Sequence, residues 1–259
     1  MEWISLYLPN FLLIFCRLSA FFMLSPIFSV RNVPVPFKVG LVVFISFIVF
    51  GAVGTHEAAA FDGSYVLAVI RETVVGLLIG FTAYLFFSAL QIAGSFVDLQ
   101  MGFGLANVVD PVTGAQSPLI GNFKFFIAML LFLSFNGHHY LLMAAMDSYE
   151  WIPLSGGIFD NIYSGEISKF LVDSFVTMFY IAFQMAAPLI AALFLTDVAF
   201  GILAKSAPQF NIFVVGFPSK IMIGYLILFI MVTSFAFLFQ HLFEELFHSI
   251  RQLFEIARG

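Results

Sequence analysis

The sequence predicts an all-α membrane protein with about six apolar helical segments, several of them kinked or broken. Three observations carry that prediction. Hydrophobic residues make up 62% of the 259 positions and charged residues 10%, against roughly 45–50% and about 25% in soluble domains. Phe alone occurs 37 times, more apolar surface than a soluble core of this size hides, so lipid or other apolar subunits must cover it. Finally, runs near the ~20 apolar residues needed to cross a bilayer recur along the whole chain.

Net charge is −5 with no basic block, which argues against nucleic acid as a partner. Cys16 is the single cysteine and lies inside an apolar run, where it reads as a small buried hydrophobe. Met1-Glu2-Trp3 lacks a basic n-region, so the first apolar stretch is expected to be a retained helix rather than a signal peptide. Neither a low-complexity linker nor a strong internal repeat divides residues 1–259, which are expected to form one integral-membrane domain.

The first segment, about Tyr7 to Val30, carries Arg17 near its middle. A cation there costs about 2.5–3.5 kcal/mol on insertion scales, so it should face protein or water and have a partner, with Asp98 and Glu72 as candidates. Ser25-Pro26 and then Pro34 and Pro36 make a rigid turn before the second segment, Phe37 to Val53. The third segment, Tyr65 to Phe96, contains Gly76 and Gly80, four residues apart, a spacing that lets another helix approach closely. Ser88, Gln91, Ser95 and Asp98 then recur at helical spacing and form a polar stripe expected to face a partner or a cavity.

The pattern breaks at Gln91–Gly121, QIAGSFVDLQMGFGLANVVDPVTGAQSPLIG. Glycines, Pro111 and Pro118 interrupt any helix there, and Asp98, Gln100, Asn107, Asp110, Thr113, Gln116 and Ser117 supply polar groups. A membrane protein tolerates such backbone at depth only where it is buried in protein or lines a wet cavity. The stretch therefore reads as a loop that lines or closes a passage.

The fourth segment, Phe123 to Met146, includes Asn136-Gly137-His138-His139. Adjacent histidines point to different sides of a helix and are poor metal ligands. A polar connection, Asp147 to Lys169, leads to the fifth segment, Phe170 to Leu195, which is kinked by Pro188. A second Gly/Pro-broken region follows, with Pro208, Gln209 and Asn211 and then Gly216 and Pro218, a re-entrant stretch or a tight turn. The sixth segment runs from Ile212 to Phe239.

The tail, about residues 239–258, is amphipathic: Phe239, Phe243, Leu246, Phe247, Ile250, Leu253, Phe254 and Ala257 share one face. Its opposite face is mixed in charge rather than basic, which favours docking on a partner over lying on lipid. Arg31, Lys38, Lys124, Lys205 and Lys220 fall in odd-numbered connections of a six-span count, which by charge bias places the N-terminus outside.

Chemistry is conspicuously missing. The chain contains no phosphate loop of the GxxxxGK[ST] type, no GxSxG elbow and no HExxH pair. Asp98 and Asp110 have no acid/base partner at a recognisable spacing. No enzyme activity, cofactor or metal is expected.

Taken in order, several motifs resemble one family. They are Arg17-Leu18 with Ser25-Pro26-Ile27-Phe28-Ser29; Gly94, Asp98-Leu99-Gln100-Met101-Gly102-Phe103 and Val109-Asp110-Pro111; Phe135-Asn136-Gly137-His138; Ile152-Pro153; and Ala207-Pro208-Gln209-Phe210-Asn211 through Gly216-Phe217-Pro218. The set is similar to the flagellar biosynthetic protein FliR family of the type III secretion export gate, with virulence-system counterparts.

That resemblance implies a non-enzymatic, multi-pass subunit of the bacterial inner membrane and the flagellar basal body. Its helices are expected to pack as bent hairpins, one copy per hetero-oligomer, with FliP-type and FliQ-type subunits around a pore for unfolded export substrates. An FlhB-type partner is expected at the cytoplasmic base, which puts the tail on the cytoplasmic side, against the charge bias.

The resemblance also implies a plug at about Gly104 to Leu119, within a pore loop of about residues 101–121. The expected plug residues are Met101, Gly102, Phe103, Gly104, Asn107, Asp110, Pro111, Gly114, Gln116 and Pro118, with Met101 and Phe103 as apolar seals. Arg17, Gly76, Gly80, Gln91, Ser95, Asp98 and Gln100 are the expected intramembrane polar and packing positions. Pro208, Gln209, Asn211, Gly216, Pro218, Phe243, Phe247, Ile250 and Phe254 are expected to dock partners. The alternative is a transporter or channel for a small solute built on an Arg17/Asp98 pair.

Overall fold

The computed structural model of the protein describes residues 2–30, 33–53, 63–103, 118–154, 163–207, 209 and 211–258. Among these there are eight helices and no strand: α1 Glu2–Leu24, α2 Val35–Val53, α3 Tyr65–Met101, α4 Leu119–Ser134, α5 Gly137–Trp151, α6 Glu166–Ser206, α7 Ile212–Ile230 and α8 Val232–Arg258. Four of them, α1, α2, α3 and α6, are individually long and apolar enough to cross a membrane. The count rises to six if each of two bent pairs is one span, α4 with α5 (71°) and α7 with α8 (65°). At the first bend Asn136 takes a left-handed conformation, φ 57°, which Asn tolerates better than other side chains.

Two compact units share the chain, one of residues 1–86, 133–175 and 244–259, the other of residues 87–132 and 176–243. Helices α3, α4, α6 and α8 contribute to both.

In the first unit α1 packs on α2, with the Phe11 and Phe47 rings tilted against each other at 4.7 Å. The α1–α3 contact is closer still. A Cβ on Gly76 would run into the Arg17 carbonyl oxygen and lie 2.9 Å from Ala20 Cβ, and one on Gly80 would lie 2.9 Å from the Phe21 carbonyl oxygen. Contacts advance together along both helices, 17 with 76 and 21 with 80, so α1 and α3 run in the same direction here.

In the second unit α3 and α4 form an antiparallel hairpin. Gly94 meets the backbone of Gly121 so closely that no side chain fits between them. Further from the turn, Phe87 packs on Phe125 and Phe132, and Phe132 packs edge-on at 4.8 Å against Phe243 of α8. Helix α6 leaves most of its apolar surface open, including Val172, Phe179, Phe183, Phe194, Leu195 and Ile202.

Two expectations are corrected here. Gly216-Phe217-Pro218 does not extend the second break, because it lies inside α7 and the chain turns earlier, between Ser206 and Ile212. Asn211 begins α7, its carbonyl accepting from the Val214 and Val215 amides, at a position Asn favours. Lys124 and Lys220 are not in connections but in α4 and α7, which removes two of the five charges behind the outward N-terminus.

Candidate functional site

Arg17 sits at the centre of the first unit, 1% exposed. Its guanidinium uses all three nitrogens. Nε donates to Glu72 Oε2 at 2.7 Å, Nη1 to Ser148 Oγ at 3.0 Å and Nη2 to the Ile152 carbonyl at 2.9 Å. The cation also lies 4.0 Å from the centroid of the Tyr149 ring, and the Tyr149 hydroxyl donates back to the Ile14 carbonyl. Glu72 is fully buried and takes a second donor, Arg71 Nε at 3.3 Å.

One residue of α1 is thereby tied to α3, to α5 and to the carbonyl just beyond α5. Fixed planar donors suit this task, since a guanidinium satisfies several acceptors at once where an ammonium would act as a point charge. The sequence puts Glu72, Gly76 and Gly80 at i, i+4 and i+8, on one face of α3. The charge and the two close-approach glycines therefore address α1 together.

The second cluster frames the connection 104–117. Asp98, 5% exposed, has both carboxylate oxygens on the Ile120 amide, at 3.2 and 3.1 Å. That amide belongs to the first turn of α4, whose leading N–H groups have no partner within the helix. Pro118 precedes the helix and carries no capping acceptor, so the cap is supplied from α3. The negative charge is also favourable at the positive end of the α4 dipole.

Lys124, one turn further along α4 and 2% exposed, attracts the same carboxylate and places its ammonium 4.6 Å from the Phe235 ring centroid. On the other side of the connection, Met101 is wholly buried and packs on Gly224 of α7, where a Cβ would lie 2.6 Å from Met101 Cε. Gly102 takes φ +93° beside the Phe217 ring, which favours glycine. Phe103 lies 6.5 Å from Tyr225. Gln100 donates to Asp197 Oδ2 at 3.0 Å, and the same oxygen accepts from Lys220 Nζ at 2.7 Å.

The expected site residues are distributed accordingly. Gly104, Asn107, Asp110, Pro111, Gly114, Gln116 and Pro208 lie outside the described residues. Arg17 pairs with Glu72, not with Asp98, so the ion pair on which a transporter reading depended is not formed. Met101, an expected apolar seal, is buried at the end of α3 against Gly224.

The polar stripe divides. Gln91 and Ser95 are exposed, with Ser95 Oγ bonded back to the Gln91 carbonyl, whereas Asp98 turns into α4. At about 100° per residue, Asp98 lies on the Gly94 side of the stripe, and that side faces α4. Gln209 is a turn residue and Pro218 is exposed, while Gly216 is buried.

The tail is corrected too. Phe243, Ile250 and Phe254 are buried by the chain itself, Phe243 against Phe87 and Phe132, and Phe254 against Trp151. Phe247 packs on Tyr140. The amphipathic pattern is real, but its apolar face is already occupied by α3, α4 and α5.

Nothing local in the sequence marks Ser148, Tyr149 or the Asp197–Lys220 pair as functional. Lys124 was detectable as a lone cation inside an apolar run, the signal that marked Arg17.

Residues 8–246 match the family described as bacterial export proteins, family 1. The chain is 42% identical to the flagellar biosynthetic protein FliR of Bacillus subtilis (strain 168), over 96% of each chain. Against the protein of the same name from Escherichia coli (strain K12) the identity is 29%, over 98% of this chain and 94% of that one. It is also 30% identical to Yop proteins translocation protein T of Yersinia pestis, over 85% of both. A match of this length, with the motifs around Arg17 and Asp98 inside it, settles the affiliation: the chain belongs to the bacterial export proteins, family 1, together with the flagellar biosynthetic proteins FliR.

Proposed function

We propose that the chain is a non-enzymatic subunit of the flagellar type III protein export gate, helping to form and plug the inner-membrane pore through which unfolded flagellar proteins leave. Full-length similarity to flagellar FliR proteins is the observation that carries this reading. Its partners are FliP-type and FliQ-type subunits and, at the cytoplasmic base, an FlhB-type protein. The connection 104–117 supplies the plug, and Gln91, Ser95 and the start of α7 around Gln209, Asn211 and Pro218 meet the neighbouring subunits.

Helix length supports an assembly rather than a lone membrane chain. α6 has 41 residues, about 61 Å at 1.5 Å per residue, against a hydrocarbon core of about 30 Å. Exposed apolar side chains continue from Val172 to Leu203, further than lipid tails reach around an upright helix. Apolar subunits are the natural cover for the remainder.

Gentle detergent extraction of the tagged chain, followed by intact-mass analysis, tests the assembly. Recovery with several other membrane subunits is expected, and recovery of an active solute carrier as a lone chain would refute the reading. Deleting Asp110 to Gln116 tests the plug: the assembled gate is expected to leak ions while still assembling.

A further inference from the structure

Residues 104–117 join α3 to α4, and the described residues on either side of them are fastened. At the start, Met101 is buried against Gly224, and Gln100 is bonded to Asp197. At the far end Ile120 is buried and Gly121 lies against Gly94, but the first amides of α4 still need acceptors. α4 opens after Pro118 with three amides, on Leu119, Ile120 and Gly121, that no intrahelical carbonyl serves; the first such bond is Asn122 N–H to the Pro118 carbonyl at 2.9 Å. Asp98 meets this end with both carboxylate oxygens. The glycine pair Gly94 and Gly121 brings the two backbones into contact one turn away, and Lys124 is buried on the same side.

We propose that Asp98 is the positioning residue for this connection: by capping α4 from α3 it fixes the separation between Phe103 and Pro118, the two described residues that flank it. Asp98 replaces a local N-cap that Pro118 cannot provide, so the first turn of α4 is held by α3 instead of by its own sequence. The consequence for permeation rests on the export-gate reading; the clamp itself rests on the geometry alone.

The assembled complex, extracted with the subunits it retains, is the sample for the test. Hydrogen exchange by mass spectrometry follows peptides covering 118–126. In Asp98→Ala, exchange of the first-turn amides is expected to rise at least tenfold, while Asp98→Asn, which keeps one acceptor oxygen, stays within a few-fold of wild type.

Should Asp98→Ala fail to accumulate because the buried Lys124 loses the nearby negative charge, Asp98→Ala/Lys124→Met removes the cation and gives the same readout. Unchanged exchange in either alanine variant overturns the clamp. Ion permeability of vesicles carrying the same complexes is the second arm. Faster exchange with raised permeability supports both the clamp and the gate reading, whereas faster exchange with wild-type permeability keeps the clamp and refutes the gate reading.

Discussion

Arg17 Nε and Glu72 Oε2 meet at 2.7 Å with both side chains withdrawn from solvent. The pair holds α1 to α3 where Gly76 has already brought the backbones together. Breaking such a pair from one side leaves an uncompensated buried charge and costs about 3–5 kcal/mol. Arg17→Met and Glu72→Gln are each expected to lower the thermal stability of the purified complex strongly. Arg17→Lys should recover little, because one ammonium cannot serve Glu72, Ser148 and the Ile152 carbonyl together. Melting curves of the three variants check this, and wild-type stability in Arg17→Met would refute the staple.

Glycine packing gives a second prediction with an internal control. Side chains at Gly76 and Gly80 collide with the α1 backbone, whereas a Cβ on Gly40 meets nothing within 4 Å. Gly76→Leu and Gly80→Leu are expected to abolish accumulation of the folded chain, and Gly40→Leu to leave it near wild type. Quantifying the detergent-soluble, correctly sized complex for each variant decides the matter. Equal yields from all three would mean that α1 and α3 separate freely.

How much of this was legible beforehand follows from which forces act locally. The all-helical apolar class and the amphipathic tail are written in hydrophobic runs and periodicity, signals of a few neighbouring residues, whereas the bends that split two of the six expected segments are not. Gly76 and Gly80 were legible as a spacing, but their partner was not, since nothing local identifies α1. Arg17 was recognisable as a charge needing a partner. Whether Glu72 or Asp98 filled that role depended on how the helices cross. Asp98 was placed on a polar stripe by its i, i+4, i+7 register, yet the unserved amides of α4 draw it to the edge of that stripe. The tail misled for the same reason: an apolar face shows that something covers it and leaves open whether that is a partner or the chain's own α5.

Met101 and Gly224 offer a test by compensation. Gly224→Val puts branched carbons where Met101 Cε and Sδ now lie, at 2.6 and 3.1 Å from a Cβ. Overpacking of this kind costs about 1–3 kcal/mol. Methionine is flexible, so Gly224→Ala is expected to be mild, Gly224→Val clearly destabilising, and Met101→Ala/Gly224→Val more stable than Gly224→Val alone. Thermal stability of wild type, Met101→Ala, Gly224→Val and the double variant gives the coupling directly, and strict additivity would show that the contact is not formed.

The tail provides the last prediction, because its two faces make opposite demands. Leu246, Ile250 and Phe254 are buried by the chain, and Arg258 places its guanidinium 5.3 Å from the Trp151 ring. Leu→Ala at a buried site costs about 2–5 kcal/mol, so Leu246→Ala should destabilise the folded chain whether or not partners are present. Glu244, His248, Arg251 and Glu255 point outward and have no comparable packing to lose. Charge reversal at Glu244 and Glu255 together is therefore expected to leave stability unchanged and to act on what the tail meets, read as a change in co-purifying subunits. If that double reversal unfolds the chain while Leu246→Ala is silent, the helix is docked by its polar face, and the burial of its apolar stripe does not hold in the membrane.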